Sequence, residues 1–186
     1  PPTGTWFAGG TTNQPRWLHE AVRLPDGRVL VAGGGAYTAS AELYDPATNR
    51  WTPTGSMTVD RHSFTATLLR DGRVLVVGGQ SGNGTGVQAS AELYDPATGR
   101  WTSTGSLRTP RRDHTATLLA DGTVLVAGGF SSGEPWDLRS AELYDPATNT
   151  WTTLPAMQVP HAFGTASLLG TGKVLVVGGE SAYDPA

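Results

Sequence analysis

Residues 64–79 read FTATLLRDGRVLVVGG, two apolar runs separated by a short polar turn. The dipeptide Asp71-Gly72 favours a tight hairpin in which both residues adopt positive φ. The run from Val74 to Val77 is apolar without interruption, which is typical of a strand buried on both faces. Gly78-Gly79 ends this strand, because glycines allow positive φ and the close approach of another backbone. The stretch therefore predicts a buried antiparallel hairpin.

Two further strands follow this hairpin. Residues 89–94 read ASAELY and predict a third strand, residues 95–99 form a turn, and residues 101–104 predict a fourth strand. The unit is then a four-stranded antiparallel meander. One such sheet cannot cover both of its faces, whereas sheets stacked radially bury each face on a neighbour, as in a β-propeller.

The unit recurs along the whole chain at an interval near 50 residues. Its markers are a tryptophan in the fourth strand, a glycine pair after the second strand and a tyrosine before Asp-Pro-Ala. The tryptophans are Trp6, Trp51, Trp101 and Trp151, the glycine pairs begin at Gly33, Gly78, Gly128 and Gly178, and the tyrosines are Tyr44, Tyr94, Tyr144 and Tyr183. A period of this length predicts a propeller or a repeat array.

This pattern resembles the kelch family, through the glycine pair after an apolar strand, the Tyr-Asp-Pro motif and a tryptophan seven residues after the tyrosine. The resemblance implies propeller blades. We expect an all-β, kelch-type β-propeller with four four-stranded antiparallel blades per chain, forming a single domain over residues 1–186. The repeats are expected at about 16–57, 61–107, 111–157, and 161–186 plus 1–8.

The two ends of the chain match successive parts of one blade. Residues 182–186 match the third strand and its turn, and residues 2–6 match the end of that turn and the fourth strand. We therefore expect the N-terminal strand to complete the last blade. A closed four-bladed monomer, an eight-bladed ring shared by a homodimer and a piece of a longer propeller all satisfy this pattern. The start at Pro1 rather than Met predicts a processed, excised or engineered chain.

Composition excludes several classes of function. The formal net charge of −3 provides no basic surface for nucleic acid or for an anionic membrane. The absence of cysteine excludes disulfides, thiolate metal sites and cysteine nucleophiles. It also excludes the chemistry of kelch-type copper radical oxidases similar to galactose oxidase, whose cofactor is a tyrosine crosslinked to a cysteine. We predict no cofactor. The absence of cysteine is compatible with reducing and oxidising compartments alike, and the Lys-poor composition suggests a secreted or cell-surface location.

When the repeats are aligned, charged residues occupy two equivalent positions, which we call columns. Arginines precede the first strands and glutamates lie two residues before the tyrosines: Arg16, Arg61, Arg111, Glu42, Glu92 and Glu142, with His161 and Ser181 in the fourth repeat. Because the fourth repeat lacks both charges, we favour a buried structural clamp over a ring of arginines that faces the central opening and binds an anion.

A third column of aligned residues contains His19, Phe64, His114 and Gly164 at the start of each first strand. Two histidines without an assured carboxylate predict packing or hydrogen bonding, and we predict no metal site. The aspartates of the turns recur in every repeat, which favours a structural role over paired-carboxylate catalysis. We predict no catalytic residues.

The loops between second and third strands differ most between repeats and are the candidate binding rim. Their candidate residues are Tyr37, Asn83, Phe130, Glu134, Trp136, Asp137 and Arg139. An aromatic residue flanked by charges suits a carbohydrate or a protein partner. The alternative is that Trp136 covers the rim or packs against a neighbouring chain.

We therefore expect a non-enzymatic kelch module for binding or assembly, either a natural fragment or an engineered small propeller. The alternatives are a carbohydrate-binding propeller and a kelch enzyme of the isomerase or oxidase type. The expected partners are a protein or a glycan, with no nucleic acid and no membrane. The chain itself is expected as a monomer or as a homodimer that shares ring closure.

Overall fold

The computed structural model describes residues 4, 6, 8–35, 38–82, 86–133 and 136–180. These residues form strands and turns only, and they include no helix that is long and apolar enough to cross a membrane. The all-β class is thereby confirmed, as are antiparallel four-stranded sheets for three of the repeats.

The strands follow one another as the repeat predicts. The first sheet contains β1 (Glu20–Arg23), β2 (Val29–Ala32), β3 (Ala41–Asp45) and β4 (Arg50–Thr54). The second contains β5 (Thr65–Leu68), β6 (Val74–Val77), β9 (Ala91–Asp95) and β10 (Arg100–Ser103), beside a separate hairpin of β7 (Gln80–Ser81) and β8 (Gly86–Val87). The third contains β11 (Thr115–Leu118), β12 (Val124–Ala127), β13 (Ala141–Asp145) and β14 (Thr150–Leu154). The fourth contains β15 (Thr165–Leu168) and β16 (Val174–Val177).

The turn between β5 and β6 differs from the prediction that both residues take positive φ. Only Gly72 does so, with φ of 87°, and its N–H donates to the Leu69 carbonyl over 3.1 Å. Asp71 instead uses its carboxylate, which accepts from the backbone N–H of Arg73 over 3.0 Å. The Asp71 side chain thus helps to close the turn by a hydrogen bond, and a second residue with positive φ is not needed.

The core lies between neighbouring sheets. In β6, Val74 and Val76 pack in a cluster with the first sheet, whereas Leu75 and Val77 pack in a cluster with the third sheet. All four residues are 0% exposed. The prediction that this strand is buried on both faces is confirmed.

The glycine pair is required by the contact between sheets. A Cβ on Gly78 would collide with the Arg111 carbonyl of the third sheet, and its φ is 64°. The next residue, Gly79, donates its N–H to that carbonyl over 2.8 Å. The pair therefore lets one sheet approach and hydrogen-bond to the linker that enters the next.

The first strands of the repeats lie side by side in chain order, β1 against β5, β5 against β11 and β11 against β15. Because each sheet is antiparallel, the loops between second and third strands and the linkers between sheets share one face. We call this the upper face. The hairpin turns lie on the opposite, lower face.

The expected four-stranded fourth blade is only partly seen. Its described residues form two strands, and residues 181–186, which were expected to begin the third strand, lie outside the described residues. The N-terminal strand expected there falls mostly on residues 1–7, of which only residues 4 and 6 are described, and Trp6 is 98% exposed. No ring closure is observed among the described residues.

Candidate functional site

The Arg–Glu columns form three equivalent buried ion pairs. The Nη2 atom of Arg61 lies 2.8 Å from Oε1 of Glu92, and the two side chains are 0% and 1% exposed. The pairs Arg16–Glu42 and Arg111–Glu142 have N–O distances of 2.9 and 3.1 Å. Burial lowers the pKa of Arg61 and Arg111, although the paired glutamates act in the opposite direction.

Each pair ties the linker between sheets to the sheet that follows. Nη1 of Arg61 donates to the Gly78 carbonyl over 2.8 Å, and the backbone N–H of Thr58 donates to Oε2 of Glu92 over 2.8 Å. These contacts use the charges internally and leave the guanidinium group inaccessible. This geometry corresponds to a structural clamp, in which the three guanidinium groups are engaged by carboxylates and backbone carbonyls of their own sheets.

In the fourth repeat, His161 occupies the arginine position. Its Nδ1–H donates to the Gly178 carbonyl over 2.8 Å, which corresponds to the contact of Arg61 with Gly78. The histidine therefore retains one contact of the clamp without its charge pair.

The two histidines of the third column, His19 and His114, are not in contact with each other. His114 is 7% exposed, and its Nε2 lies 3.0 Å from Oγ1 of Thr65 on the neighbouring sheet. Burial, followed by the nearby Arg111, lowers the pKa of His114 to about 3. His19 lies two sheets away, and the described residues contain no cluster of three potential metal ligands. The His114 contact is one of packing between sheets.

Glu20 is a titratable residue that the sequence reasoning missed. It is the first residue of β1, where the equivalent residues of the other sheets are Thr65, Thr115 and Thr165. Burial raises its pKa to about 7. The sequence does contain a signal for this site, because Glu20 is the one carboxylate at a position where the other three repeats have threonine.

An aromatic patch lies on the upper face between the third and fourth sheets, and we define it as Phe130, Trp136 and Phe163. The rings of Phe130 and Phe163 pack edge to face with centroids 5.5 Å apart. The guanidinium carbon of Arg112 lies 5.3 Å from the centroid of Phe130. Trp136 and Phe163 are each 56% exposed, so the patch presents aromatic surface to solvent.

The loop of the third repeat positions this patch. Phe130 forms bridges with Arg112 and with Asp137, and the N–H of Ser131 donates to the Trp136 carbonyl over 2.9 Å. The backbone therefore brings Trp136 beside the residue that follows Phe130. Asp137 is 7% exposed, whereas Arg139 is exposed.

The remaining rim candidates Tyr37, Asn83 and Glu134 lie outside the described residues. Conversely, Phe163, which belongs to the patch, and Arg112, which lies over the ring of Phe130, were not predicted. Phe163 has φ of 58°, and its equivalents Leu18, Ser63 and Asp113 also have positive φ. A bulky residue at such a position is uncommon, which is a signal visible only once the backbone is known.

Two shallow grooves of about 450 and 280 Å³ lie on the lower face between neighbouring sheets. Their aspartates are engaged in turns; Asp71, for example, accepts from Nε of Arg73 over 2.8 Å. Despite the opposing effect of burial, hydrogen bonds from Arg73 lower the pKa of Asp71. The grooves therefore resemble a repeated structural feature more than a catalytic carboxylate pair.

The comparisons with known proteins agree with this architecture. The Kelch motif matches residues 21–58, 61–108 and 111–158. The solved structure of YjhT is similar with a TM-score of 0.74 and 16% sequence identity, over 93% of this chain and 68% of that one. At that identity the similarity shows the fold alone. A search of curated proteins found no relative. Because the motif covers most of the sequence in three successive repeats, this chain belongs to the kelch-repeat family.

Proposed function

We propose that this chain is a non-enzymatic kelch module that binds a protein partner through the aromatic patch of its upper face. The observation that carries the proposal is the exposure of Trp136 and Phe163, each 56%, beside the half-buried Phe130. Exposed contiguous apolar surface marks interaction sites, and aromatic residues with arginine dominate the binding energy of protein interfaces.

The distribution of charges supports binding over catalysis. The buried ion pairs repeat in three sheets and hold linkers in place, and His114 is held by Thr65. A catalytic set needs a nucleophile or base that is oriented toward an accessible cleft. The aromatic patch instead offers a stacked cation, two exposed rings and a frame of antiparallel strands.

The binding proposal can be tested with a random peptide library displayed on phage. Peptides selected on the wild-type chain are expected to lose affinity at least tenfold for Trp136→Ser and for Phe163→Ser. The matched control is Leu18→Ser, because Leu18 has the same backbone conformation and is 57% exposed, but lies on the first repeat. Peptides that bind all variants equally would contradict the proposal that the aromatic patch is the binding site. Binding on a glycan array, lost in Trp136→Ser, would favour the carbohydrate-binding alternative.

The fourth blade is the second part of the proposal: an N-terminal strand completes it, giving four four-stranded blades per chain. The Trp51 indole N–H donates to the Gly9 carbonyl over 2.8 Å, just as Trp101 donates to the end of the preceding fourth strand at Gly55 over 2.8 Å. This equivalence of Gly9 and Gly55 supports the proposal that the residues before Gly9 form the fourth strand of a preceding blade. Slow amide exchange throughout β16 is expected if this blade is complete, and rapid exchange would contradict it.

A further inference from the structure

The larger of the two lower-face grooves lies between the first and second sheets, and we call it the first groove. Its volume is about 450 Å³, and the charged residues that line it are Asp26, Arg28, Asp71, Arg73 and Asp95. Arg28 and Arg73 follow equivalent hairpin turns in the two sheets, and their side chains are 35% and 34% exposed. One guanidinium group from each sheet therefore borders the same space.

A carboxylate holds each of these guanidinium groups in a fixed orientation. Nε of Arg28 donates to Oδ2 of Asp26 over 2.7 Å, and Nε of Arg73 donates to Oδ2 of Asp71 over 2.8 Å. In both pairs Nη2 lies 2.7 Å from the same oxygen. The Nη1 atoms of both arginines have no acceptor among the residues that the structure describes. Donors that are already oriented lose little side-chain entropy when a ligand binds them.

The carboxylates of the first groove, by contrast, have donors from their own turns. The two paired aspartates each accept a further backbone N–H at Oδ1 over 3.0 Å. Asp95 accepts from the N–H of Ala97 over 2.9 Å and from the hydroxyl of Thr98 over 3.0 Å, and it lies opposite Arg100 in the strand register. The polar groups without a partner are therefore donors, so a complementary ligand supplies acceptor oxygens.

The equivalent groove between the second and third sheets, which we call the second groove, lacks this arrangement. Thr123 replaces the second arginine, and Arg70 replaces Pro25. Nη2 of Arg70 donates to the Ala120 carbonyl of the third sheet, and its Cδ would lie 3.3 Å from a Cβ on Gly122. The Arg70 side chain thus extends across the second groove, whose volume is about 280 Å³.

The hairpin turn itself does not need an arginine. In the third sheet the N–H of Thr123 donates to Oδ1 of Asp121 over 3.0 Å, which is the distance between the N–H of Arg73 and Oδ1 of Asp71. Because the turn closes in the same way with threonine, the guanidinium groups of Arg28 and Arg73 are available for another role.

We infer that the first groove binds an oxyanion, either a carboxylate or a phosphate group, whose oxygens accept hydrogen bonds from Nη1 of Arg28 and Nη1 of Arg73. Guanidinium groups suit both anions, because their planar donors match the geometry of carboxylate and phosphate oxygens. Asp26 and Asp71 are positioning residues for the two arginines. The site lies on the face opposite to the aromatic patch and is independent of the partner proposed for that patch.

The first test follows the Nε–Hε resonances of Arg28 and Arg73 by NMR while inorganic phosphate or succinate replaces sodium chloride at constant ionic strength. Both resonances are expected to shift and to reach saturation. Saturation with phosphate alone would assign a phosphate group, saturation with succinate alone a carboxylate, and saturation with both their shared chemistry. Unchanged resonances, or shifts that do not saturate with either anion, would overturn the inference.

The second test uses variants that copy residues of the second groove. Arg73→Thr and Pro25→Arg are each expected to weaken binding of the anion at least tenfold in calorimetry, with an unchanged β-sheet circular dichroism spectrum. Trp136→Ser, on the upper face, is the control and should bind the anion as the wild type does. Wild-type affinity in Arg73→Thr would overturn the inference.

The reciprocal variant transfers the site to the second groove. The double substitution Arg70→Pro and Thr123→Arg gives that groove the residues of the first one. The number of anions bound per chain should rise from one to two, as measured by calorimetry. A number that remains at one would contradict the assignment of binding to these groove residues.

Discussion

At the scale of single residues, burial determines which charges are structural. Arg61 and Glu92 are almost completely inaccessible, whereas Arg28 and Asp26 form an equally short pair of 2.7 Å whose side chains are 35% and 45% exposed. An unpaired charge in the first environment loses its solvation, while the second pair is screened by water. Similar geometry therefore has very different energetic consequences.

We expect Arg61→Met to lower the free energy of unfolding by about 3–5 kcal/mol, because it leaves Glu92 buried without its partner. Urea denaturation measures the change. The control Arg28→Met should cost no more than about 1 kcal/mol, since exposed pairs contribute little. Adding Glu92→Leu to Arg61→Met should restore part of the loss, and equal effects at Arg61 and Arg28 would be inconsistent with the clamp.

The pH dependence of stability should reflect two opposing residues. The pKa of His114 falls from 6.5 to about 3 on folding, so its contribution is present above pH 6.5 and is lost as pH falls. The pKa of Glu20 rises from 4.5 to about 7, so the folded chain binds more protons and gains stability as pH falls from 7 toward 4.5. The two effects oppose each other between pH 4.5 and 6.5.

We therefore expect Glu20→Thr to lose stability more steeply than the wild type between pH 6.5 and 4.5, because the opposing effect of Glu20 is removed. His114→Phe, which copies Phe64 of the same column, should gain stability relative to the wild type over this interval. Urea titrations at several pH values measure both changes. Parallel curves for all three proteins would show that neither group titrates as described.

At the scale of strands and sheets, tryptophan links one repeat to the next. Trp101 packs on Tyr94 with ring centroids 5.0 Å apart, and its Nε1–H donates to the Gly55 carbonyl at the end of the preceding sheet over 2.8 Å. Trp151 repeats this contact with Gly105 over 2.7 Å. The tryptophans therefore fasten the outer edges of neighbouring sheets, while the valine and leucine clusters fill the space between them.

We expect Trp101→Ala to reduce the free energy of unfolding by about 3–5 kcal/mol, through lost packing and the unpaired Gly55 carbonyl. The control is Trp136→Ala, which removes an exposed ring and should change stability by about 0.5 kcal/mol or less. Thermal or urea unfolding of both variants gives the comparison. A melting temperature of Trp101→Ala equal to the wild type would exclude the packing role.

At the scale of the whole molecule, the N-terminal segment has contacts of two kinds. Gly9 and Asn13 are tied to the first sheet, since Asn13 donates its backbone N–H to Oε2 of Glu42 over 2.8 Å. Trp6 is instead almost fully exposed. Gly9 and Asn13 therefore anchor this segment to the first sheet, whereas the ring of Trp6 is uncovered.

Deletion of residues 1–7 is expected to lower the free energy of unfolding by about 1 kcal/mol or more, because it removes the segment that we propose as the fourth strand of the last blade. Urea denaturation measures the change. Deletion of residues 1–14 is the comparison, because it also removes the partners of Trp51 and Glu42 and should destabilise the monomer. A free energy of unfolding that the shorter deletion leaves unchanged would argue against the proposed completion of the fourth blade.

The sequence by itself determined the repeat, the order of strands, the glycine positions and the Arg–Glu columns, because hairpins and side-chain alternation depend on residues close together in the chain. Only the tertiary structure decided that Phe163 joins Phe130 and that the pKa of Glu20 is raised. These features depend on how neighbouring sheets approach one another. Such properties arise from packing between repeats, which the pattern within one repeat does not specify.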